Sequence, residues 1–168
     1  QFGGNATSIR VNATTFNITS TGALSAAGGV SSASCPSATR GHRGNGGNVT
    51  ILARDITIAG NLFAHRGSVG GCNDGAGGIA AVNATNTLAI SGLVSAIGTG
   101  SVNMPHGNAT LNATTLIDIS GHVDSATGLK TSNLTLRSDS LLVFPSQVTL
   151  DSAVLNTTRW DGAFMALG

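Results

Sequence analysis

Apolar and polar residues alternate along the chain in short stretches. The clearest stretch is 47–67, GNVTILARDITIAGNLFAHRG, which bends at Gly60. Its alternating apolar residues are Val49, Ile51, Ala53, Ile56, Ile58, Leu62 and Ala64. Alternation with a period of two is typical of strands that bury one face, and glycine bends the chain without the penalty of a Cβ atom. We therefore expect three short strands around a narrow core, followed by a glycine-rich loop.

The same unit recurs along the chain. Gly60 is preceded by an apolar pair and followed by another, and Gly92 is flanked in the same way; Gly121 follows the pattern with Ser125 at the last position. Gly22 has the second pair in place, whereas its first pair is displaced by two residues. Because the repeating part keeps its length while the glycine-rich loops vary, the pattern indicates a solenoid of stacked units.

The strand pattern favours a parallel β-helix over other all-β folds. Glutamate is absent and no stretch has the i, i+3, i+4 apolar spacing of a helix. The alternative is an antiparallel sandwich, but the two-residue Asn-Gly turns of hairpins are nearly missing between the apolar runs. We expect a single domain, 1–168, of about five or six coils, with glycine-rich loops at 28–47, 67–79 and 99–107.

The last part of the chain departs from the repeat. Residues 132–158 read as a degenerate fifth unit, with Pro145 near the position of the marker glycine. Terminal repeats are usually atypical because they cap the stack. Residues 159–168 are expected to form a terminal cap or a contact between subunits. The self-assembly residues predicted here are Trp160, Phe164, Met165 and Leu167.

Composition narrows the possible partners. The net charge is +1 and only 9% of the residues are charged, which gives no electrostatic footprint for nucleic acid. No apolar run approaches the ~20 residues that span a membrane. The low charge permits close association of copies.

Sequons for N-glycosylation are the strongest functional signal. Nine of the fourteen asparagines begin an Asn-x-Thr sequence without proline in the middle, about twice what chance predicts in a chain so rich in Ser and Thr. They are Asn5, Asn12, Asn17, Asn48, Asn83, Asn108, Asn112, Asn133 and Asn156. We therefore predict N-linked glycans and a secreted protein.

The position of the sequons within the strands supports this interpretation. Asn48, Asn108 and Asn133 each precede an apolar residue in an alternating run, as Asn17 does. If the apolar residues face the core, the asparagines face solvent. Equivalent asparagines in adjacent coils are expected to form a crowded column of glycans that covers the exposed strands.

The two cysteines, Cys35 and Cys72, each lie a few residues into a loop. Loops at equivalent points of successive coils lie above one another, so we predict a disulfide, as expected of a secreted chain. Free thiols or bridges between chains are the alternatives.

Other chemistry is weakly represented. Two His-Arg-Gly sequences, at His42 and His65, lack a third ligand at metal-binding spacing. The seven acidic residues are all aspartates, and none occupies the same position as another relative to the marker glycines. Asp118 and Asp124 are the best candidates for the carboxylate cluster of a polysaccharide-cleaving enzyme. We expect no catalytic residues, no metal and no cofactor.

The pattern G-G-N-V-T-I-x-A-x-x-I-x-I-x-G-x-L-x-A-x-x-G resembles the β-helical repeats of filamentous-haemagglutinin-type and pectin-lyase-like surface solenoids. The resemblance covers about residues 8–128. It implies a right-handed parallel β-helix, in families that include adhesins, fibre proteins and some polysaccharide lyases. This chain differs in its high density of sequons and in lacking the charged clusters of the lyases.

The sequence thus predicts a structural subunit of a secreted, N-glycosylated extracellular filament or sheath. Exposed strand edges at the solenoid ends template the addition of another chain, and head-to-tail contacts that do not close give open filaments. The expected partners are copies of the chain itself and covalent glycans. The alternative is a glycan- or surface-binding adhesin module of a longer secreted protein, which needs an exposed aromatic row; Phe63 is its best candidate.

Overall fold

The computed structural model describes residues 4–29, 44–66, 75–96, 107–119, 122–124, 133–143, 148–149 and 152–161. These residues form thirteen strands and no helix, and every strand pairing among them is parallel. The part of the chain that the structure describes is therefore all-β with parallel sheets, as the sequence predicted.

The strands fall into successive units. The first contains β1 (Ile9–Asn12), β2 (Thr15–Ile18) and β3 (Ala23–Ser25); the second, β4 (Val49–Ile58) and β5 (Asn61–Phe63); the third, β6 (Ile79–Ile90) and β7 (Leu93–Ser95). The fourth contains β8 (Asn108–Ala113), β9 (Leu116–Ile119) and β10 (His122–Asp124); the fifth, β11 (Asn133–Val143) and β12 (Val148–Thr149); the sixth, β13 (Ser152–Asp161).

Each unit places its strands beside those of the units before and after it. The larger sheet runs β1-β4-β6-β8-β11-β13, with β2 paired to β4 and with β9 paired to β6 and β11. The smaller sheet runs β3-β5-β7-β10-β12. Both sheets therefore follow the order of the units, and neighbouring units are one strand spacing apart, about 4.7–4.9 Å.

The register aligns the apolar residues of successive units. We call the residues at one register position in successive strands a column. One column contains Ile18, Ile58, Ile90 and Ile119, which are all at most 5% exposed. In the smaller sheet, Leu62 pairs with Val94 and both are fully buried. The predicted core residues of the 47–67 stretch are all buried, as the period of two requires.

The strand boundaries differ from the prediction in two places. The first two apolar runs of the second, third and fifth units join into single long strands. The register shifts between Ala53 and Asp55, where β6 has one residue more than β4. The predicted fifth unit, 132–158, also ends earlier, because β13 pairs along β11 and begins a sixth unit at Ser152. Within the segment 159–168, β13 continues through Asp161, and Trp160 pairs with Leu141.

The variable loops leave and return at fixed points. The backbone N–H of Gly47 donates to the carbonyl oxygen of Ala26 at 2.8 Å, and Gly78 donates to Ala64 at 2.7 Å. Gly107 and Ala96 are joined in the same way at 2.9 Å. Each bond closes the insertion between two units, so the insertion length can vary without changing the stack.

Glycines permit this close stacking. A Cβ atom on Gly78 would lie under 3.0 Å from the carbonyl oxygens of Gly47 and Ala64, closer than real Cβ contacts. Gly47, Gly78 and Gly107 form one such column, and Gly22, Gly60 and Gly92 form another. The marker glycine is therefore required by the close approach of the preceding unit.

Candidate functional site

The outward face of the larger sheet carries most of the predicted glycan sites. Because side chains alternate in a strand, the residues between the core positions point away from the core. The register places four sequon asparagines in one column, here called the first sequon column. In order along the stack it contains Asn12, Leu52, Asn83, Asn112, Arg137 and Asn156.

A second sequon column lies four residues earlier on the same strands. It contains Asn48, Ile79, Asn108 and Asn133, because Ile79 pairs with Asn108 and Asn133 precedes the paired Leu134. Asn48 and Asn108 are exposed. The two columns are about 13 Å apart at the rise of a strand.

The two remaining sequons lie outside these columns. Asn17 is exposed on β2 and pairs with Thr57, and Asn5 is exposed in the segment before β1. The sequence predicts that Asn48, Asn108 and Asn133 share one position, and the register agrees. Asn108 and Asn133 are in adjacent units, whereas Ile79 stands between Asn48 and Asn108. Sequence reasoning missed the first column, although Asn83 and Asn112 both stand nine residues before a marker glycine.

Several asparagine side chains bond to the next unit. Asn5 Oδ1 accepts from the backbone N–H of Asn45 at 3.0 Å, and Asn48 Oδ1 accepts from that of Ile79 at 3.2 Å. Asn45, which is not in a sequon, accepts from the N–H of Ala76 at 2.9 Å. These bonds use the oxygen of the amide and leave Nδ2, the atom to which an N-glycan is attached, outside the contact.

Asn83 and Asn112 form a different arrangement. They are direct neighbours in the first sequon column, both half-buried, and Asn112 Nδ2 donates to Asn83 Oδ1 at 2.7 Å. Here the nitrogen of one sequon asparagine is bonded to the oxygen of another.

A polar corner lies where the strands of the larger sheet bend. Asp55 Oδ1 accepts from Asn86 Nδ2 at 2.6 Å and from Thr87 Oγ1 at 2.9 Å, and Thr115 Oγ1 donates to Asn86 Oδ1 at 3.0 Å. The hydrogen bonds from Thr87 and then from Asn86 lower the pKa of Asp55 below its ordinary 3.8. Arg54 adds only a long, exposed contact of 3.6 Å to this carboxylate.

Two aspartates of the described residues share a column, Asp118 and Asp161, but Leu142 stands between them, so no two aspartates are paired neighbours. Asp55 pairs with Thr87 on β6, whereas Asp118 pairs with Ala89. Asp124 lies in the smaller sheet and pairs with Ser95. Among the described residues, no group of three His, Cys, Asp or Glu could hold a metal ion.

The remaining predicted residues are placed as follows. His65 is half-buried, its ring lies edge-on to Phe63 with centroids 4.9 Å apart, and burial lowers its pKa below 6.5. His42, Cys35 and Cys72 lie outside the described residues, so the disulfide stays a prediction. Phe164, Met165 and Leu167 also lie outside them.

One end of the stack exposes part of its core. We call β1, β2 and β3 the first-unit end, because within the described ranges each of them pairs only with a strand of the second unit. The inward-facing Ile9, Val11, Phe16 and Leu24 of this unit pack on the core but are only half-buried. A cavity of about 290 Å³ lies beside them, and the described residues that line it belong to the first unit, including Asn5, Ile9 and Ala26.

Comparison with known protein families, with curated proteins and with solved structures gave no match. Within the described residues, no helix is long and apolar enough to cross a membrane. The features of the molecule that indicate a function are the two sequon columns and the first-unit end.

Proposed function

We propose that the chain is a right-handed parallel β-helix that serves as the structural subunit of a secreted, N-glycosylated filament or sheath. The β-helix is supported by two parallel sheets that both follow the order of the units. Right-handedness follows from the rule that connections between parallel strands of one sheet are almost always right-handed.

The first-unit end is the observation that carries assembly. Among the described strands, none pairs with β1, β2 or β3 on the side away from the second unit, and such edges template the addition of another strand. Several inward-facing apolar side chains are only half-buried at this end, such as Val11, whereas its partner in the second unit, Ile51, is fully buried. A further coil laid on this end buries apolar area and pairs the free edges. In a filament that coil comes from another copy of the chain.

The sequon columns support the glycosylated surface. The exposed sequon asparagines of the larger sheet lie on its outer face. Asn48 and Asn108 belong to later units, whereas Asn12 belongs to the first unit. Glycans are bulky and solubilising, so on this face they prevent lateral association of filaments while leaving the end contacts free. N-glycosylation places the protein in the secretory pathway and outside the cell.

The test is electron microscopy of native material with its glycans retained, together with sedimentation over a range of concentrations. The proposal predicts filaments with a repeat of roughly 25–30 Å, which corresponds to five or six coils at a strand spacing of about 4.8 Å. It also predicts glycan density on the outer face of the larger sheet. A glycosylated protein that stays monomeric at high concentration would refute assembly, and a chain without glycans would refute the sheath.

The adhesin module is the second candidate, and Phe63 is the residue on which it rests. Phe63 pairs with Ser25 and Ser95 in its column, and its ring packs on His65. The column therefore lacks the aromatic row that stacks on sugar rings. A glycan-binding screen of the monomeric protein tests this candidate, and binding that is lost in Phe63→Ala would favour it over the filament.

A further inference from the structure

The sequon asparagines of the first column are unevenly spaced, and this spacing limits the room for glycans. Its asparagines are separated by a residue without a sequon in two places: Leu52 stands between Asn12 and Asn83, and Arg137 between Asn112 and Asn156. Only Asn83 and Asn112 are in adjacent units. Their attachment points are therefore about one strand spacing apart, roughly 4.8 Å, while the others are separated by two.

The hydrogen bond between Asn83 and Asn112 limits which of the two can carry a glycan. Asn112 Nδ2 donates to Asn83 Oδ1 at 2.7 Å and both residues are half-buried. Asn112 Nδ2 carries two hydrogens, one of which it donates to Asn83 Oδ1, and a glycan replaces one of the two. In either position the sugar starts from a nitrogen only 2.7 Å from Asn83 Oδ1, beside the space between the two strands. Two bulky glycans starting from neighbouring units would also compete for the same volume.

Asn83, in contrast to Asn112, has its amide nitrogen outside the hydrogen bond and can carry a glycan. Its Oδ1 is bonded to Asn112, so its Nδ2 lies on the other side of the planar amide, toward the unit that contains Leu52. Leu52 is 37% exposed and has no sequon. Asn48 and Asn5 have their Oδ1 atoms bonded to the next unit in the same sense. A glycan on Asn83 thus keeps the bond to Asn112 and occupies the side where no second glycan starts.

We infer that Asn83 and Asn112 form a structural asparagine pair within the sequon column, that the folded protein does not carry glycans on both, and that Asn112 is the unmodified member. This rests on the proposed glycosylation and specifies which sequons carry it. The sequon columns then present glycans two units apart or more along the first column.

The sequence provides a direct test. Between Arg66 and Lys130 there is no Lys or Arg, so trypsin releases 67–130 as one peptide with three sequons, Asn83, Asn108 and Asn112. After reduction, the mass of the intact glycopeptide from the native protein counts the glycans carried together by one molecule. Enzymatic removal of glycans in heavy-oxygen water then marks each formerly occupied asparagine, and fragmentation locates it.

The expected result is at most two glycans on this peptide, with Asn112 unmarked. A peptide that carries glycans on both Asn83 and Asn112, or one occupied at Asn112 alone, overturns the inference. Absence of glycans from every sequon of the chain overturns the proposed function instead, and leaves the asparagine pair to the following measurement, which does not depend on glycans.

That measurement is a double-mutant cycle in the full chain, produced in a host that attaches no N-glycans. Asn112→Ala is expected to lower the Tm by about 2–4 °C, and the double variant with Asn83→Ala by less than the sum of the two single losses, because both remove the same bond. The matched cycle uses Asn83→Ala with Asn108→Ala, which lies about 13 Å along β8 from Asn112 and is expected to be additive. Additive losses in the Asn83 and Asn112 cycle overturn the pair.

Discussion

At the scale of single residues, Gly92 shows how closely the units approach. A Cβ atom built there would lie under 3.0 Å from the carbonyl oxygen of Gly60, a backbone atom that cannot move independently. The φ angle of Gly92 is not in the left-handed region, so glycine is required by space and not by its conformational freedom. The clash exists only because the units stack in this register.

We therefore expect Gly92→Ala to destabilise the protein by at least about 1–3 kcal/mol, the usual cost of overpacking, and to lower the Tm by roughly 2–4 °C per kcal/mol. Gly4→Ala is the matched control, because a Cβ atom at Gly4 meets nothing within 4 Å. Thermal unfolding followed by circular dichroism measures both. Equal melting temperatures for the two variants would contradict the stacking of Gly92 on Gly60.

Asp55 gives the polar corner a dependence on pH. Hydrogen bonds from Thr87 and Asn86 favour the charged form, so the pKa of Asp55 is lower in the folded than in the unfolded chain. A carboxylate with a lowered folded pKa contributes stability above its unfolded pKa, near 3.8, and loses it as the pH falls through the folded pKa.

The stability difference between wild type and Asp55→Asn is therefore expected to be largest near neutral pH and to shrink below pH 3.8. Denaturation from about pH 7 to about pH 2 measures it. Asp118→Asn, which removes one exposed carboxylate from β9, corrects for the change in net charge. A difference that stays constant over this range would mean that the corner bonds do not distinguish the two forms of Asp55.

At the scale of the strand, the two faces of the larger sheet differ sharply. Leu88 on β6 is fully buried, whereas Leu52 on β4 is 37% exposed and lies in the first sequon column. Leu88→Ala is expected to lower the free energy of unfolding by about 2–5 kcal/mol, because it removes buried apolar atoms and leaves a cavity in the core. Leu52→Ala is expected to stay within about 0.5 kcal/mol of wild type. Urea denaturation distinguishes the two, and a similar loss in both would contradict the assigned faces.

The sequence predicts these faces because a period of two is a local property. It also predicts the stacking position of the inner units, since Gly60, Gly92 and Gly121 each stand two residues after an apolar pair. The columns on the outward face do not follow from the marker glycines in the same way. Between the outward residue and the bend, Leu52 to Asp55 takes three steps, whereas the paired Asn83 to Thr87 takes four, so counting from one marker misplaces residues by one.

The end of the chain shows the same limit. Trp160 follows no glycine marker, so the sequence predicts that it belongs to a terminal cap or contact segment. In the structure it lies in the column that contains Ile56, Leu88, Ile117 and Leu141. The alternation in 152–161 is masked by Thr157, Thr158 and Arg159. Pairing with β11 decides this segment, and pairing partners distant in sequence are not visible in a local pattern.

At the scale of the whole molecule, the first-unit end determines whether the solenoid stands alone. Val11 on β1 is half-buried at this end, while its partner Ile51 in the second unit is fully buried. A lysine at position 11 places a charge on the surface that a further coil must cover, and burying an unpaired charge costs far more than the apolar contact gains.

Val11→Lys is therefore expected to abolish filaments while leaving the molecule folded, because position 11 still reaches solvent in the isolated subunit. Thr15→Lys adds the same charge at an exposed position of β2 on the outward face and is expected to assemble like the wild type. Sedimentation velocity and electron microscopy measure assembly, and thermal unfolding of the monomer verifies the fold. Filaments formed by Val11→Lys as readily as by Thr15→Lys would place the subunit contact elsewhere, whereas failure of both variants would indicate that charge alone, and not the end surface, controls association.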